Sequence, residues 1–342
     1  MIKRSSLPRV LLGRYRLLRQ IGGGGMGKVF EAEIQRTGLH VAIKMLHPLM
    51  ARDEEARIRL ARECELVHKV DHDALVPILD IDEDDDGTPF VVMELLQGED
   101  LRDKLETDRR LTIRDAIWIA WHVADALGAV HDAKVVHRDL KPENIFLQRQ
   151  RHVPMRVRVL DFGIAKARER ITQESITLTR DGRALGTPAY MSPEQAHGDR
   201  NIDRRTDVYA LAVVLFEMLT GVSPYPGGDD AGALAMLQII REREPIPIRQ
   251  LRPDASRSLE LLITCALEKD RDARVSSMEE LMSALSAIAA EPIPGAPVTD
   301  LEWADEPRVG LYAGGRATNH RNPIVRVGAP AVAAKKTRKT TR

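Results

Sequence analysis

The stretch "VVHRDLKPENIF", residues 135 to 146, decides how this chain is to be read. Two apolar pairs, Val135-Val136 and Ile145-Phe146, enclose His137, Arg138, Asp139, Lys141 and Asn144. A buried strand has no use for such charges, and a surface loop has none for the flanking hydrophobes. The charges are therefore arranged around a reagent. A second acid follows downstream. "RVRVLDFGIA" (156–165) sets Val157, Val159 and Asp161 on one strand face and ends the strand with an acid and a glycine.

Upstream, "IGGGGMGKV" (21–29) contains Gly22-x-Gly24-x-x-Gly27. The same spacing marks dinucleotide sites, where the glycines open a helix. Here an alternating strand follows them, Val29-Glu31-Glu33 against Phe30-Ala32-Ile34. Glycines between two strands form a hairpin whose amides can close over phosphates with no Cβ in the way. "VAIK" comes next. Ala42 and Lys44 share a strand face, so a small apolar side chain lies under a flat ring and an ammonium lies nearer the phosphates. In "EEARIRLARECELVHKV", Ala56, Leu60, Val67 and Val70 form a helical stripe with Glu63 in its midst. A carboxylate there requires a cation. Lys44 is the expected partner, and Arg59 is the rival one turn earlier.

Phosphoryl transfer from ATP calls for this set of groups: oxygen ligands for Mg²⁺, a base beside the attacking hydroxyl, and a cation for the transferring group. Asp161 and Asn144 fit as ligands, Asp139 as the base and Lys141 as the cation. Together, "GGGGMGKV", "VAIK", "HRDLKPEN", "DFG" and "TPAYMSPE" resemble the catalytic domain of eukaryotic-type protein kinases. "GGMG" and "SPEQA" resemble the bacterial serine/threonine (Hanks-type) branch.

The resemblance implies an α+β, bilobal protein-kinase fold with a β-rich N-lobe, one main helix in that lobe, and a mainly helical C-lobe. ATP would be held by Ile21, Gly22, Gly23, Gly24, Gly25, Met26, Gly27, Lys28, Val29, Ala42 and Lys44. Met93 would be the gatekeeper, and Glu94-Leu95-Leu96 the hinge reading adenine. Catalysis would rest on Asp139, Lys141, Lys44 and Glu63, with Asn144 and Asp161 holding Mg²⁺ (Mn²⁺ as the alternative ion). Asp207 would anchor the catalytic loop from a buried helix. Thr187 and Glu194 would belong to the peptide-docking segment, Glu194 paired with Arg274. Lys141 and Thr187-Pro188 resemble enzymes acting on Ser/Thr rather than Tyr. Arg138 beside Asp139 would be neutralised by phosphate on the activation segment. Thr172, Ser175, Thr177 and Thr179 are candidates there, with Thr177 and Thr179 favoured, and a transient homodimer would serve autophosphorylation in trans. Two departures remove no reagent: Asp73 where the family has proline, and Gly23 making four glycines in a row. A pseudokinase or ATP-binding scaffold, and more weakly a kinase of small molecules, are the alternatives.

Bulk properties agree. With 342 residues, 43% of them hydrophobic, the chain can bury a large core. Its 51 basic and 51 acidic residues cancel, so nothing global steers it to nucleic acid or anionic lipid. Cys64 and Cys265 are too few for a disulfide framework and are read as buried, reduced thiols of a cytoplasmic protein. The first residues lack the apolar core of a signal peptide, so no export is expected, and "VYALAVVLFEMLTG" (208–221) reads as a core helix, not a membrane span. The expected organisation is an N-terminal extension (1–14), a kinase domain (15–290, divided at 96/97 near the linker "LQGED") and a disordered Pro/Ala/Gly-rich tail (291–342). The tail's basic end is read as solvated.

Overall fold

The computed structural model describes residues 9–24, 27–46, 58, 62, 64–150, 153–161, 188–199, 201–227 and 232–291. The helix expected around Glu63 is described only in part, with 64–68 helical and Val67 buried. Glu63, Arg59, Gly25, Met26, the activation-segment hydroxyls, Thr187 and the tail lie outside the described residues.

Among the described residues, nine strands form two antiparallel sheets. The first takes β1 (Val10–Leu11), β2 (Tyr15–Gly24), β3 (Gly27–Ile34), β4 (His40–Leu46), β5 (Ile78–Glu83) and β6 (Pro89–Glu94) in the order β1-β2-β3-β4-β6-β5. Its alternating sequence sorts the side chains. Leu17, Ala32, Val41, Ile43, Phe90 and Val92 pack as one apolar cluster, while Glu31 and Glu33 meet Arg19 and Arg16 at 2.7 and 2.6 Å. The turn chemistry of "DDDGTP" closes the β5–β6 hairpin through Gly87 at φ 78° and Thr88 N donating to Asp86 Oδ1 at 3.0 Å. Part of the supposed N-terminal extension belongs to this sheet. Leu11 is fully buried, Arg14 reaches Asp82 at 3.1 Å, and Arg9 pairs with Asp84.

The connector "LQGED" is not merely a linker. Gly98–Asp100 forms β7, which pairs with β8 (Ile145–Gln150), and β8 pairs in turn with β9 (Val153–Val159). Gly98 lies at φ 145°, where a Cβ would sit 2.1 Å from Leu147 O, so this entry into the second sheet requires glycine. The helices that follow are α1 (Leu101–Asp108), α2 (Ile113–Asp132), α3 (Pro193–His197), α4 (Arg205–Thr220), α5 (Ala233–Glu242), α6 (Ile248–Leu251), α7 (Arg257–Ala266) and α8 (Met278–Ala289), of which α1 packs on β7 and β8 and α2 on β9. Thr112, Ser192, Ser256 and Ser277 cap α2, α3, α7 and α8 through their hydroxyls. Helix α4 takes up the apolar run from Val208 to Thr220, with Gly221 as its C-cap, and is buried nearly all round, as the reading of a core helix requires. Among the described residues, no helix is long and apolar enough to cross a membrane. Cys64 is buried as expected, whereas Cys265 is only partly buried, because α7 turns that side toward solvent.

Candidate active site

The glycine stretch is a hairpin. β2 runs to Gly24 and β3 resumes at Gly27, with Gly22 opposite Val29 and Gly23 opposite Lys28. Gly27 adopts φ 144°, and a Cβ there would lie 2.0 Å from Met45 O, so the loop can return onto β4 only through glycine. No helix follows, which removes the dinucleotide alternative.

Beneath this hairpin, β4 presents Ala42 and Lys44, 6% and 4% exposed. Ala42 is opposite Met93 on β6, and Lys44 is opposite Val29 on β3 and Val91 on β6. Met93 also borders a cavity shared with Cys64, Val67, Val91, Leu160 and Asp161. The Lys44 ammonium meets Asp161 Oδ2 at 2.7 Å. Burial favours the neutral carboxylic acid, but the charge and hydrogen bond of Lys44, aided by His137 and Lys141, hold the Asp161 carboxyl below its usual range. Asp161 leaves β9 in the left-handed region at φ 64°, an unusual backbone for a residue with a Cβ.

The stretch 135–146 forms the opposite wall. Lys141 Nζ is 3.0 Å from Asp139 Oδ2. Asn144, 3% exposed, donates from Nδ2 to Asp139 O at 2.7 Å. His137 Nε2 is 2.8 Å from Leu160 O, and Leu160 N donates to Asn144 O at 2.9 Å. The two acids, separated along the chain, are thus sewn together by the residues beside them. Asp207, fully buried on α4, fixes the loop from below. Its Oδ2 accepts from His137 N at 2.8 Å and pairs with His131 Nε2 at 2.7 Å, while Oδ1 accepts from Arg138 N at 2.8 Å. Burial opposes ionisation of this carboxyl, yet the His131 contact carries its pKa below the ordinary value. Arg138, at φ 65°, is held further by Gln195 Nε2, which donates to its carbonyl at 2.7 Å.

Glu194 and Arg274 form a buried two-pronged pair at 2.9 and 3.0 Å, with Thr206 Oγ1 donating to Glu194 Oε1 at 2.7 Å. Among the described residues, no group of three or more His, Cys, Asp or Glu forms a metal cage. Mg²⁺ bound with a nucleotide needs none, since it takes one or two protein oxygens and completes its shell with phosphate and water. The Asp161 carboxylate, kept ionised, and the Asn144 amide oxygen are hard donors of that kind.

A protein-kinase-domain family model matches residues 15–285. The chain belongs to the protein kinase domain family. Bacterial proteins are among its relatives. A serine/threonine-protein kinase of Myxococcus xanthus, pkn3, is 39% identical over 81% of this chain and 50% of its own length. PknB of Mycolicibacterium smegmatis is 35% identical over 86% of this chain and 46% of its own length. The chain therefore spans about half the length of these curated relatives. Among solved structures, the PknI kinase domain of Mycobacterium tuberculosis superposes with a TM-score of 0.65 at 26% identity, covering 83% of this chain and 99% of that one. The bilobal kinase fold, with its strand-rich N-lobe and helical C-lobe, is the fold described above.

The sequence did not single out several buried polar groups around the candidate site. His131, under the catalytic loop, reads as a histidine near a helix end. Arg102 joins Glu217 at 2.7 Å and also Tyr190, whose hydroxyl donates to Glu217 Oε2 at 2.5 Å. Arg158 and Gln148 are buried polar residues on β9 and β8. Their partners are distant in the chain, so only the alternation break at a charged strand residue offered a signal.

Proposed function

We propose that this domain is an active serine/threonine protein kinase that transfers the γ-phosphoryl group of ATP to protein hydroxyls. One observation carries the reading: Lys44 on β4 reaches across to Asp161 at the end of β9, and Lys141 is paired with Asp139 beside Asn144. In this proposal Asp139 accepts the proton of the substrate hydroxyl, and Lys141 offsets charge on the moving phosphoryl group. Lys44 moves from Asp161 to the nucleotide phosphates. Asn144 and Asp161 would hold Mg²⁺, which supplies neutralisation of the β- and γ-oxygens. The glycine hairpin covers the phosphates, Ala42 packs against adenine, and the backbone at Glu94 and Leu96 hydrogen-bonds it. Glu63 would take over Lys44 in the productive state.

Serine/threonine choice follows Lys141 and Thr187-Pro188 together with the names of the relatives. Phosphate on Thr177 or Thr179, placed there by a second copy, would pair with Arg138. The lobes divide at 96/97 within residues 15–290, and a reducing, cytoplasmic setting suits Cys64 and Cys265, which form no disulfide. The test is incubation of the purified protein with labelled ATP and Mg²⁺ beside Asp139→Asn and Lys44→Met. Label on Ser/Thr of the wild type alone supports the proposal. Equal label in all three, or nucleotide binding without transfer in the wild type, overturns it.

A further inference from the structure

We propose that Arg158 is a positioning residue that sets the height of the nucleotide cleft by tying the Asp161 strand to the first residue of the hinge. The inference rests on the kinase reading above. Arg158 is on β9, three residues before Asp161, and is only 8% exposed. A buried guanidinium must have its donors satisfied, and its partners are specific. Nε donates to Gln148 Oε1 at 2.8 Å, on the neighbouring strand, and Gln148 is itself buried. Nη1 donates to Leu75 O at 3.2 Å and also to Asp73 O. Nη2 is 3.9 Å from Glu94 Oε2.

One planar group on β9 thus reaches three other segments: β8 through Gln148, residues 73–75, and the end of β6. β9 delivers Asp161. The 72–76 segment follows the helical residues 64–68, and it is stitched to the same strand by Val159 N donating to Ala74 O at 2.8 Å. Glu94 ends β6, where the connector to β7 begins. Asp161 and Glu94 belong to opposite walls of the proposed nucleotide site, so a contact joining their strands fixes the distance between phosphate and adenine anchors. Burial presses the Arg158 guanidinium below its ordinary pKa and Arg156 adds to that, so Glu94 and Asp73 are the acids that offset the cost of the charge. Lysine cannot reproduce this. Its ammonium is a point donor, whereas the acceptors here diverge around a fork.

The test compares wild type with Arg158→Lys and Arg158→Met in the full chain, reading the KM for ATP, the KM for a Ser/Thr peptide, kcat and thermal unfolding. The expected result is a KM for ATP raised roughly tenfold in Arg158→Met and less in Arg158→Lys, with the peptide KM unchanged. Glu94→Gln should give part of the same rise, and the Arg158→Met/Glu94→Gln double variant should be no worse than Arg158→Met alone. Should Arg158→Met fail to fold, Arg158→Lys with a wild-type melting profile carries the comparison. An unchanged KM for ATP in a folded variant, or equal rises for ATP and peptide, overturns the inference while a transferring wild type leaves the kinase reading intact.

Discussion

Lys44 is the residue on which the two walls meet. Its ammonium both holds Asp161 and keeps that carboxyl ionised. Lys44→Met should leave the apolar stem packed while lowering kcat by roughly a hundredfold or more, measured by steady-state transfer to a peptide. Arg274 offers a purely structural contrast. It is 4% exposed and satisfies Glu194 with two hydrogen bonds. Removing it strands a buried carboxylate, so Arg274→Met should cost about 3–5 kcal/mol in a urea titration. Glu194→Gln/Arg274→Met should recover part of that loss. Such residues differ in how plainly the sequence announces them. Asp139, Asn144 and Asp161 are read from spacing because their chemistry demands fixed types in a fixed order. Arg158 was hidden, since its acceptors at Asp73 and Leu75 are backbone carbonyls, and every residue type carries one.

At the scale of elements, the β2–β3 hairpin was legible because strand alternation resumes directly after Gly27. What could not be read is that its glycines are unequal. Gly27 is at φ 144° against Met45 O, whereas a Cβ on Gly22 would only touch Val29 at 3.7 Å. Gly27→Ala should therefore destabilise the domain by about 1–3 kcal/mol and weaken ATP binding, while Gly22→Ala should melt like wild type. Differential scanning with and without a non-hydrolysable ATP analogue separates the two effects. β7 escaped notice for a different reason. Three residues are too few to show a period, and their partners on β8 come after the whole of α1 and α2. The stretch 135–146 drew notice by its charges and not by its supports: Asp207 was marked, while the His131 beneath it was not.

Across the whole molecule, Asp161, Glu194 and Asp207 share one property. Each has a folded-state pKa below its ordinary value despite opposing burial. Their contribution to stability is complete above about pH 4, where the unfolded chain is also ionised, and is lost as pH falls through the depressed values. If all three take up protons on unfolding in acid, stability should fall by up to about 4 kcal/mol per pH unit below that point. Urea midpoints between pH 7 and pH 3 measure this, and Glu194→Gln/Arg274→Met should flatten the slope. The same scale shows what the domain can do mechanically. β6 ends at Glu94, β7 begins at Gly98, and Arg149 N already holds Gln97 O at 2.8 Å. Only Leu95 and Leu96 are left as slack between the sheets. A tether of two residues spans roughly 7 Å when drawn out, so any gaping of the cleft to release spent nucleotide must be a swing about this point and never a sliding apart.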